Sequence, residues 1–292
     1  MSIDYLIIGH VTQDITPAGV QLGGTALYST VTAQRLGCKV ALVTRAPVDL
    51  DLRAAMPDVE LHVLPTERAT TFENIYRENS REQYLHHVAP ALSWEDIPLA
   101  WRRAAIVHLA PVAQEVALSL TTRFPEALLC ATPQGWTRKW DQNGRVHHVL
   151  LEKPQEVLQP VDVLIFSAED VNHDPAAMRV LIQSVPTAVV THAAEGAIVY
   201  TRHGSTPLPA RRTTQIDPTG AGDVFAAAFL VRLHEQGDPF EAAAFANVVA
   251  SFSIEAWGVN GIPTRDQVDE WFAAQLAGRG PFPPLGDYSG RG

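Results

Sequence analysis

The sequence predicts a three-layer α/β/α fold built around a central, mostly parallel sheet. Short, continuous apolar runs alternate with helix-like stretches along most of the chain. Runs without polar alternation suit parallel strands that are covered on both faces. Apolar residues make up 46% of the chain and charged residues 18%, which is ordinary for a protein with a sizeable core. In folds of this class, ligands bind at the carboxyl ends of the strands.

Each element follows from the same patterns of apolar spacing and turn residues. The predicted strands are 5–9, 39–44, 105–110, 127–132, 162–167 and 187–191. The predicted helices are 25–36, 93–104, 114–123, 174–184, 220–236, 239–256 and 264–276. We interpret residues 1–292 as a single domain that ends in a loop-like tail at 278–292, rich in glycine and proline.

Residues 70–90 interrupt this alternation with two extended segments around a polar turn at Asn79–Ser80. The pattern predicts an antiparallel hairpin that projects from the α/β body. It is either a plain surface hairpin or a lid over a site, with Phe72, Ile75 and Tyr84 as lid contacts. Exposed strand edges also make it a candidate surface for a homodimer.

A second hairpin is not expected near the amino terminus. Only eight residues separate Asp14 from Gly23, which we judge too few for one. The lid is therefore predicted to consist of the 70–90 hairpin, with "GVQL" (19–22) as the only further cover.

The charge balance excludes some classes of partner. The formal net charge is −10 and the chain has only three lysines, which disfavours nucleic acid and anionic membrane as partners. A small anionic ligand such as a nucleotide stays open, because local backbone dipoles can outweigh the global charge. Isolated Cys38 and Cys130 and the lack of a basic, apolar leader indicate a cytoplasmic protein. No apolar run is long enough to cross a bilayer.

Several catalytic motifs are absent from the sequence. It contains no Gly-Lys-Ser/Thr phosphate loop, no Gly-x-Ser-x-Gly elbow and no His-Glu-x-x-His helix. The first strand is followed by "GHVTQD", which lacks the glycine fingerprint of a nicotinamide-dependent dehydrogenase.

The stretch "DPTGAGD" (217–223) carries the most specific chemistry. Backbone N–H groups at Gly220, Ala221 and Gly222 would form a cradle for an anion at the start of a helix. Asp223 lies beside that cradle. Capping of the helix could explain this carboxylate alone. A carboxylate next to an anion cradle is also what phosphoryl transfer to an alcohol requires, because the acid accepts the hydroxyl proton.

These residues resemble the ribokinase-like (PfkB) carbohydrate kinases, and the resemblance extends over nearly the whole chain. "DPTGAGDVFAAAFL" (217–230) matches the second signature of that family at essentially every restricted position. The resemblance implies a ribokinase-like fold with a small β lid. It also implies that Asp223 is the catalytic base and that the 220–222 amides hold the γ-phosphoryl group.

The resemblance also implies an acceptor site in the amino-terminal half. "LGGTALYSTVTAQRLGCKVALVT" (22–44) is similar to the first signature, although Tyr28 stands where an asparagine is usual and Thr25 lies near the usual position of a lysine. "TPQGWTRKWD" (132–141) is similar to a segment of ketodeoxygluconate-type kinases. The predicted substrate-binding residues are Asp14, Gly23, Gly24, Tyr28, Arg77 and Arg138.

For the phosphoryl donor, the resemblance implies ATP and Mg²⁺, with a monovalent cation such as K⁺ as an option. The predicted nucleotide-binding residues are Thr191, Glu195, Gly196, Asp217, Thr219 and Asn247. The usual Asn-x-x-Glu element is replaced by Ser167-Ala168-Glu169-Asp170, so Glu169 and Asp170 are the predicted metal ligands. Ala193 stands where the family has a glycine.

The sequence therefore predicts an ATP-dependent kinase for a small sugar, cyclitol or related polyol. The short lid and Asp14 resemble the plant-type inositol kinases, which makes a cyclitol one option for the acceptor. A nucleoside is the alternative acceptor, because Tyr28 could stack on a base. A non-catalytic binding or regulatory protein is the alternative function, supported by the departures at 167–170 and 193.

Overall fold

The structure, a computed structural model, describes residues 2–77 and 80–278; for residues 76, 77, 80 and 81 it describes only the backbone. In this part of the chain the large sheet has nine strands in the order β15-β14-β13-β12-β9-β8-β1-β4-β5. Its strands from β12 to β5 are parallel, whereas β14 and β15 are antiparallel to their neighbours. The strands of this sheet are β1 (Tyr5–Ile8), β4 (Val40–Ala46), β5 (Glu60–Pro65), β8 (Ile106–Leu109), β9 (Leu128–Ala131), β12 (Val163–Ser167), β13 (Thr187–Thr191), β14 (Ala197–Thr201) and β15 (Gly204–Leu208).

Helices cover both faces of the sheet, which confirms the predicted three layers. The α-helices are α1 (Thr25–Arg35), α2 (Leu52–Ala55), α3 (Pro154–Leu158), α4 (Pro175–Ile182), α5 (Ala221–Gln236), α6 (Pro239–Ser253) and α7 (Arg265–Leu276). One apolar cluster lies between the sheet and helices α1, α5 and α6, and a second fills the opposite face. In the described residues, no helix has the length and apolarity needed to cross a membrane.

Two predicted helices are wrong. Residues 93–104 form two short 3₁₀ turns, Trp94–Asp96 and Leu99–Trp101, because Pro98 separates them. Residues 114–123 contain only the 3₁₀ turn Leu118–Thr122. Here the buried Glu115 carboxylate accepts the N–H groups of Val112 and Ala113, which holds the chain in a turn before a helix can begin.

A smaller sheet lies over the carboxyl ends of the central strands, and we call it the lid sheet. Its strand order is β3-β2-β6-β7, formed by β2 (Thr12–Thr16), β3 (Gly19–Gly23), β6 (Thr71–Arg77) and β7 (Ser80–His87). The predicted 70–90 hairpin is confirmed, with β6 and β7 antiparallel. A short separate hairpin, β10 (Arg138–Trp140) and β11 (Val146–His148), lies beside it.

The prediction that residues 14–23 are too short for a hairpin is wrong. β2 and β3 pair directly, with Thr16 opposite Gly19. A tight turn is enough here because Gly19 adopts φ 117 and the Thr16 hydroxyl donates to its carbonyl at 2.8 Å. The lid therefore has four strands and carries Asp14 on β2.

The predicted lid contacts are correct at one position only. Phe72 pairs with Leu85, and both side chains are buried against Val112 and Ala113 of the body. Ile75 and Tyr84 lie on the opposite face of this hairpin, because side chains alternate along a strand. Ile75 lies three positions after Phe72, and an odd spacing along a strand places two side chains on opposite faces.

Candidate active site

The glycine turn before α5 is shaped by one left-handed residue. Gly220 is the N-cap of α5 with φ 76, and a Cβ at this position would collide with the ring of Tyr28. Gly222 differs, because a Cβ built on it meets no atom within 4 Å. The first turn of α5 thus has one glycine packed against the protein and another that faces open space. The backbone amides of this turn lie at a helix N-terminus, which favours anions.

Asp223 lies in this first turn, and its surroundings favour a proton acceptor. Burial raises the pKa of its carboxyl group to about 6. The Thr25 hydroxyl bonds to the carboxylate and lowers the pKa, as does the charge of Arg138. The charges of Asp170 and Asp14 raise it. A carboxyl group with a pKa near neutrality can accept and release a proton in the physiological range.

Tyr28 fills the space between these acids. Its side chain is only 4% exposed, with the ring against Gly220. Burial and the charges of Asp217, Asp223 and Asp14 raise the pKa of its hydroxyl well above the ordinary value, so the phenol stays protonated. The ring has no open face for a nucleobase, and the predicted stacking role for Tyr28 is not supported.

A second set of side chains reaches Asp223 from the other side. Arg138, at the start of β10, donates from Nη2 to Gln134 Oε1 at 2.7 Å. Gln134 Nε2 in turn donates to the Thr25 hydroxyl at 2.6 Å. Arg138 is 9% exposed and also donates to the Val112 carbonyl. These contacts place Thr25, Gln134 and Arg138 in one connected wall beside the base.

Strand β2, which carries Asp14, lies on the proposed acceptor side. Asp14 accepts a hydrogen bond from the Thr12 hydroxyl at 3.0 Å. A Cβ on Gly23 would collide with the Asp14 carboxylate, so glycine is required there for close approach. Gly24, with φ 85, then begins α1. The structure thus brings Asp14, Gly23 and Gly24 together, and their contact with an acceptor stays a prediction.

A cavity of about 260 Å³ lies at the ends of β12 and β13. Its walls are formed by Ser167–Glu169, His173 and Thr191–Ala193, together with Glu195. Ala193 adopts φ 48, a strained value for alanine. Gly196, with φ 99, lets the backbone of Leu208 approach closely. Thr191 and Glu195 therefore line a cavity, whereas Gly196 shapes the turn that follows.

The other predicted nucleotide residues mainly hold backbone. The Asp217 carboxylate accepts the N–H groups of Thr219 and Gly258 at 3.0 and 2.9 Å. Asn247 is buried and donates its amide to the Leu208 carbonyl at 2.8 Å. Both residues therefore fix the loops around the α5 terminus, and a direct contact with nucleotide stays a prediction.

The predicted metal ligands differ in their exposure. Glu169 is exposed, whereas Asp170 is partly buried and accepts the Ser167 N–H at 2.9 Å. Burial raises the pKa of Asp170, and the charge of Arg138 lowers it. Residues 2–77 and 80–278 contain no group of three or more metal-ligating side chains. One or two carboxylates fit a Mg²⁺ ion that arrives with nucleotide phosphates.

Two groups of predictions fall elsewhere. Arg77 ends β6, but its side chain lies outside the described part of the structure, as do residues 279–292 of the tail.

Sequence reasoning missed Gln134 and the role of Thr25. It also missed buried His10, which bonds through Nδ1 to the Thr70 hydroxyl at 2.8 Å, at the base of the lid hairpin.

A buried carboxyl group with a pKa near neutrality in the first turn of a helix, where anions are favoured, is the arrangement expected of a phosphotransferase. The family model described as "pfkB family carbohydrate kinase" matches residues 15–265. The chain therefore belongs to the pfkB family of carbohydrate kinases. It is an ATP-dependent carbohydrate or nucleoside kinase that transfers phosphate to an alcohol group, which sets aside the non-catalytic alternative.

Two similar proteins extend over most of the chain. A cytidine kinase from Thermococcus kodakarensis is 27% identical over 82% of this chain and 91% of its own length. A nucleoside kinase from Methanothermobacter thermautotrophicus is 24% identical over 87% of this chain and 85% of its own length.

Solved structures share the ribokinase-like fold. A pyrophosphate-dependent kinase in the ribokinase family, complexed with a pyrophosphate analog and myo-inositol, superimposes with a TM-score of 0.78 at 24% identity. The match covers 91% of this chain and 99% of that one. Ribokinase from Arabidopsis thaliana, complexed with ribose and ATP, gives a TM-score of 0.71 at 16% identity and covers 92% and 98%. The predicted fold class is confirmed.

Proposed function

We propose that this protein transfers the γ-phosphoryl group of ATP to a hydroxyl of a small polyol, with a cyclitol as the preferred class. The observation that carries the proposal is the position of Asp223, between an open anion cradle at Gly222 and the acceptor groups around Asp14. A base in this position can reach the acceptor hydroxyl while the amides hold the transferred group.

The proposed reaction transfers the γ-phosphoryl group from ATP to the acceptor hydroxyl. The acceptor hydroxyl gives its proton to the Asp223 carboxylate, and its oxygen forms a bond to the γ-phosphorus. The bond from that phosphorus to the bridging oxygen of ADP breaks, and ADP leaves. The amides of residues 220–222 stabilise the charge on the transferred group, and Asp14 holds neighbouring hydroxyls of the acceptor.

We expect the phosphates of ATP at the α5 terminus, since an exposed helix terminus without a Cβ at Gly222 suits phosphate, and the rest of the nucleotide toward the cavity at the ends of β12 and β13. Thr191 and Glu195 would lie beside the nucleotide. Mg²⁺, when bound with the nucleotide, supplies charge neutralisation for the phosphates. Asp170 and exposed Glu169 are the residues that would hold it.

Polar groups around the site support a polyol acceptor. Asp14, Gln134 and Thr25 offer carboxylate, amide and hydroxyl groups near the base. Two aromatic rings near these groups, Tyr28 and Phe72, are each 4% exposed. A nucleoside base needs an open ring or apolar wall for stacking, whereas a cyclitol needs hydrogen-bond partners.

A nucleoside is the second candidate, because the cytidine kinase of Thermococcus kodakarensis matches most of the chain. To decide between the two, purified enzyme is assayed for ADP formation with cyclitols, nucleosides, sugars and sugar acids. Pyrophosphate replaces ATP in a parallel series. We expect the highest kcat/KM with a cyclitol and ATP. A higher value with cytidine contradicts the cyclitol assignment, and turnover with pyrophosphate alone contradicts the donor.

A further inference from the structure

Residues 209–219 connect the two parts of the proposed donor site, the cavity at the ends of β12 and β13 and the first turn of α5. At its start the chain lies against Gly196, where a Cβ would collide with the Leu208 carbonyl and the backbone nitrogen of Ala210. Gly196 directly follows a residue of the cavity wall. At its end the chain enters α5 through Gly220. The segment contains no helix or strand, so bonds to other parts of the protein must fix its course.

Helix α6 and the residues after it hold both ends of this segment. The Asn247 amide donates to the Leu208 carbonyl at 2.8 Å. At the other end, the Ile254 carbonyl accepts the N–H groups of Ile216 and Asp217 at 2.7 and 3.2 Å. The part of the segment between these two anchors needs a contact of its own.

Glu255 supplies that contact. Its carboxylate accepts hydrogen bonds from Arg211 Nη2 at 2.6 Å and from the Thr213 hydroxyl. The Arg211 guanidinium also lies over the Phe252 ring, 4.2 Å from its centroid, and the arginine side chain is only 10% exposed. Among the described residues, positions 210–215 make no other hydrogen bond. The course of the segment between its two anchors therefore depends on Glu255.

We propose that Glu255 is a positioning residue that fixes residues 209–219 and thereby favours a nucleoside triphosphate over a short inorganic polyphosphate as donor. The inference rests on the proposed function, in which the phosphates lie at the α5 terminus and the rest of the nucleotide toward the cavity. A donor of that length needs both parts of the site at a fixed spacing. If the segment between them is loose, ordering it adds a cost to nucleotide binding.

A short polyphosphate needs the anion cradle alone. Helix α1 holds that cradle independently of Glu255, because Tyr28 packs on Gly220 and the Ser29 hydroxyl donates to the Asp223 carbonyl. Loss of Glu255 should therefore weaken the binding of ATP and leave the binding of a short polyphosphate nearly unchanged.

Calorimetric titration of the full chain tests this role, with MgATP and inorganic tripolyphosphate as the two probes. Glu255→Ala removes both hydrogen bonds to the segment. We expect the Kd of ATP to rise about fivefold, a modest value because the Glu255 side chain is 37% exposed. The Kd of tripolyphosphate should stay within about twofold of the native value. Glu255→Gln and Thr213→Val each weaken part of the contact and should give smaller rises in the Kd of ATP.

Two controls separate this role from a general loss of structure. Glu241→Ala removes a carboxylate that accepts from Arg232 near the start of α6, and it should leave the Kd of ATP unchanged. The double variant of Thr213→Val with Glu255→Ala should bind ATP no more weakly than Glu255→Ala alone, because the Thr213 hydroxyl acts through Glu255. Glu255→Gln and Thr213→Val carry the test if Glu255→Ala does not fold.

The outcomes separate this inference from the proposed function. A native Kd of ATP in the Glu255 variants would overturn the positioning role. An equal rise in Kd for both probes would also overturn it, because the substitution would then have disturbed the cradle itself. The proposed function fails on different results, namely full activity of Asp223→Asn or no turnover of the native enzyme with any alcohol.

Discussion

The donor and acceptor sides of this site are built in different ways. The proposed donor side consists of the first turn of α5, which offers backbone amides from consecutive residues, together with the cavity at the ends of β12 and β13. The acceptor side consists of side chains from β2, α1 and the segment before β10. Asp223 lies at the boundary of the two. Backbone amides can bind the phosphates of any nucleoside triphosphate. The side chains of the acceptor side can be substituted one at a time to bind another alcohol.

The largest expected effect is on Asp223, where the two sides meet. Asp223→Asn keeps the shape of the side chain but cannot accept the proton, so we expect kcat to fall about 10²–10⁴-fold. ATP affinity, measured by isothermal titration calorimetry, should stay close to the native value. Near-native turnover would show that Asp223 is not the base that connects the donor and acceptor sides.

A change at Asp14 should affect the acceptor side alone. We expect Asp14→Ala to raise acceptor KM about tenfold or more, as expected for a lost hydrogen bond to a charged group, with ATP KM unchanged. Asp49→Ala, at an exposed position, serves as the matched control. If ATP KM rises and acceptor KM does not, the two sides have been assigned the wrong way round.

The two glycines of the turn should separate folding from donor binding. Gly220→Ala forces a Cβ into the Tyr28 ring at a left-handed φ, so we expect a lower Tm, with about 1–2 kcal/mol from the backbone alone. Gly222→Ala faces open space and should leave Tm unchanged or raise it. Its methyl group should raise ATP KM about tenfold. Thermal denaturation and steady-state kinetics on the pair measure both effects, and equal Tm losses would contradict the distinction.

The raised pKa of Asp223 predicts opposite effects of pH on activity and stability. Activity needs the carboxylate, so the acid limb of kcat/KM should have its midpoint near the Asp223 pKa of about 6. Because the folded pKa lies above the ordinary value of an aspartate, folding favours the protonated acid, and this stabilisation is lost as pH rises through 6. Asp223→Asn should therefore gain Tm over the native enzyme at pH 8 but not at pH 4. A pH-independent difference contradicts this account.

The lid should give the smallest change. Replacing residues 75–82 by a short Gly/Ser turn keeps Phe72 and Leu85 in their buried cluster. We expect ATP hydrolysis to rise severalfold relative to acceptor phosphorylation, because more water enters the site. An unchanged ratio would show that this hairpin does not exclude water.

Light scattering on the native and shortened proteins tests the predicted homodimer. The proposed contact surface is the 70–90 hairpin, whose strand β7 forms one edge of the lid sheet. A monomeric native protein contradicts that proposal.

Sequence patterns could predict the sheet, the helices of the carboxyl-terminal half and the turn at 217–223, because each depends on neighbouring residues. The Gln134–Thr25 bond joins positions 109 residues apart, and no local pattern contains it. The β2–β3 hairpin was missed because one glycine at φ 117 shortens the turn. The burial of Tyr28 could not be predicted from local sequence, because its ring packs against Gly220, which lies far along the chain.

Helix α1 holds the first turn of α5 at two adjacent points. Tyr28 packs on Gly220, and the Ser29 hydroxyl donates to the Asp223 carbonyl at 3.1 Å. These contacts fix the turn that carries Asp223 to helix α1, so we expect the two to keep their relative position when a substrate binds. A change of acceptor is then expected to come from substitutions in the lid strands, with the alignment of the base retained.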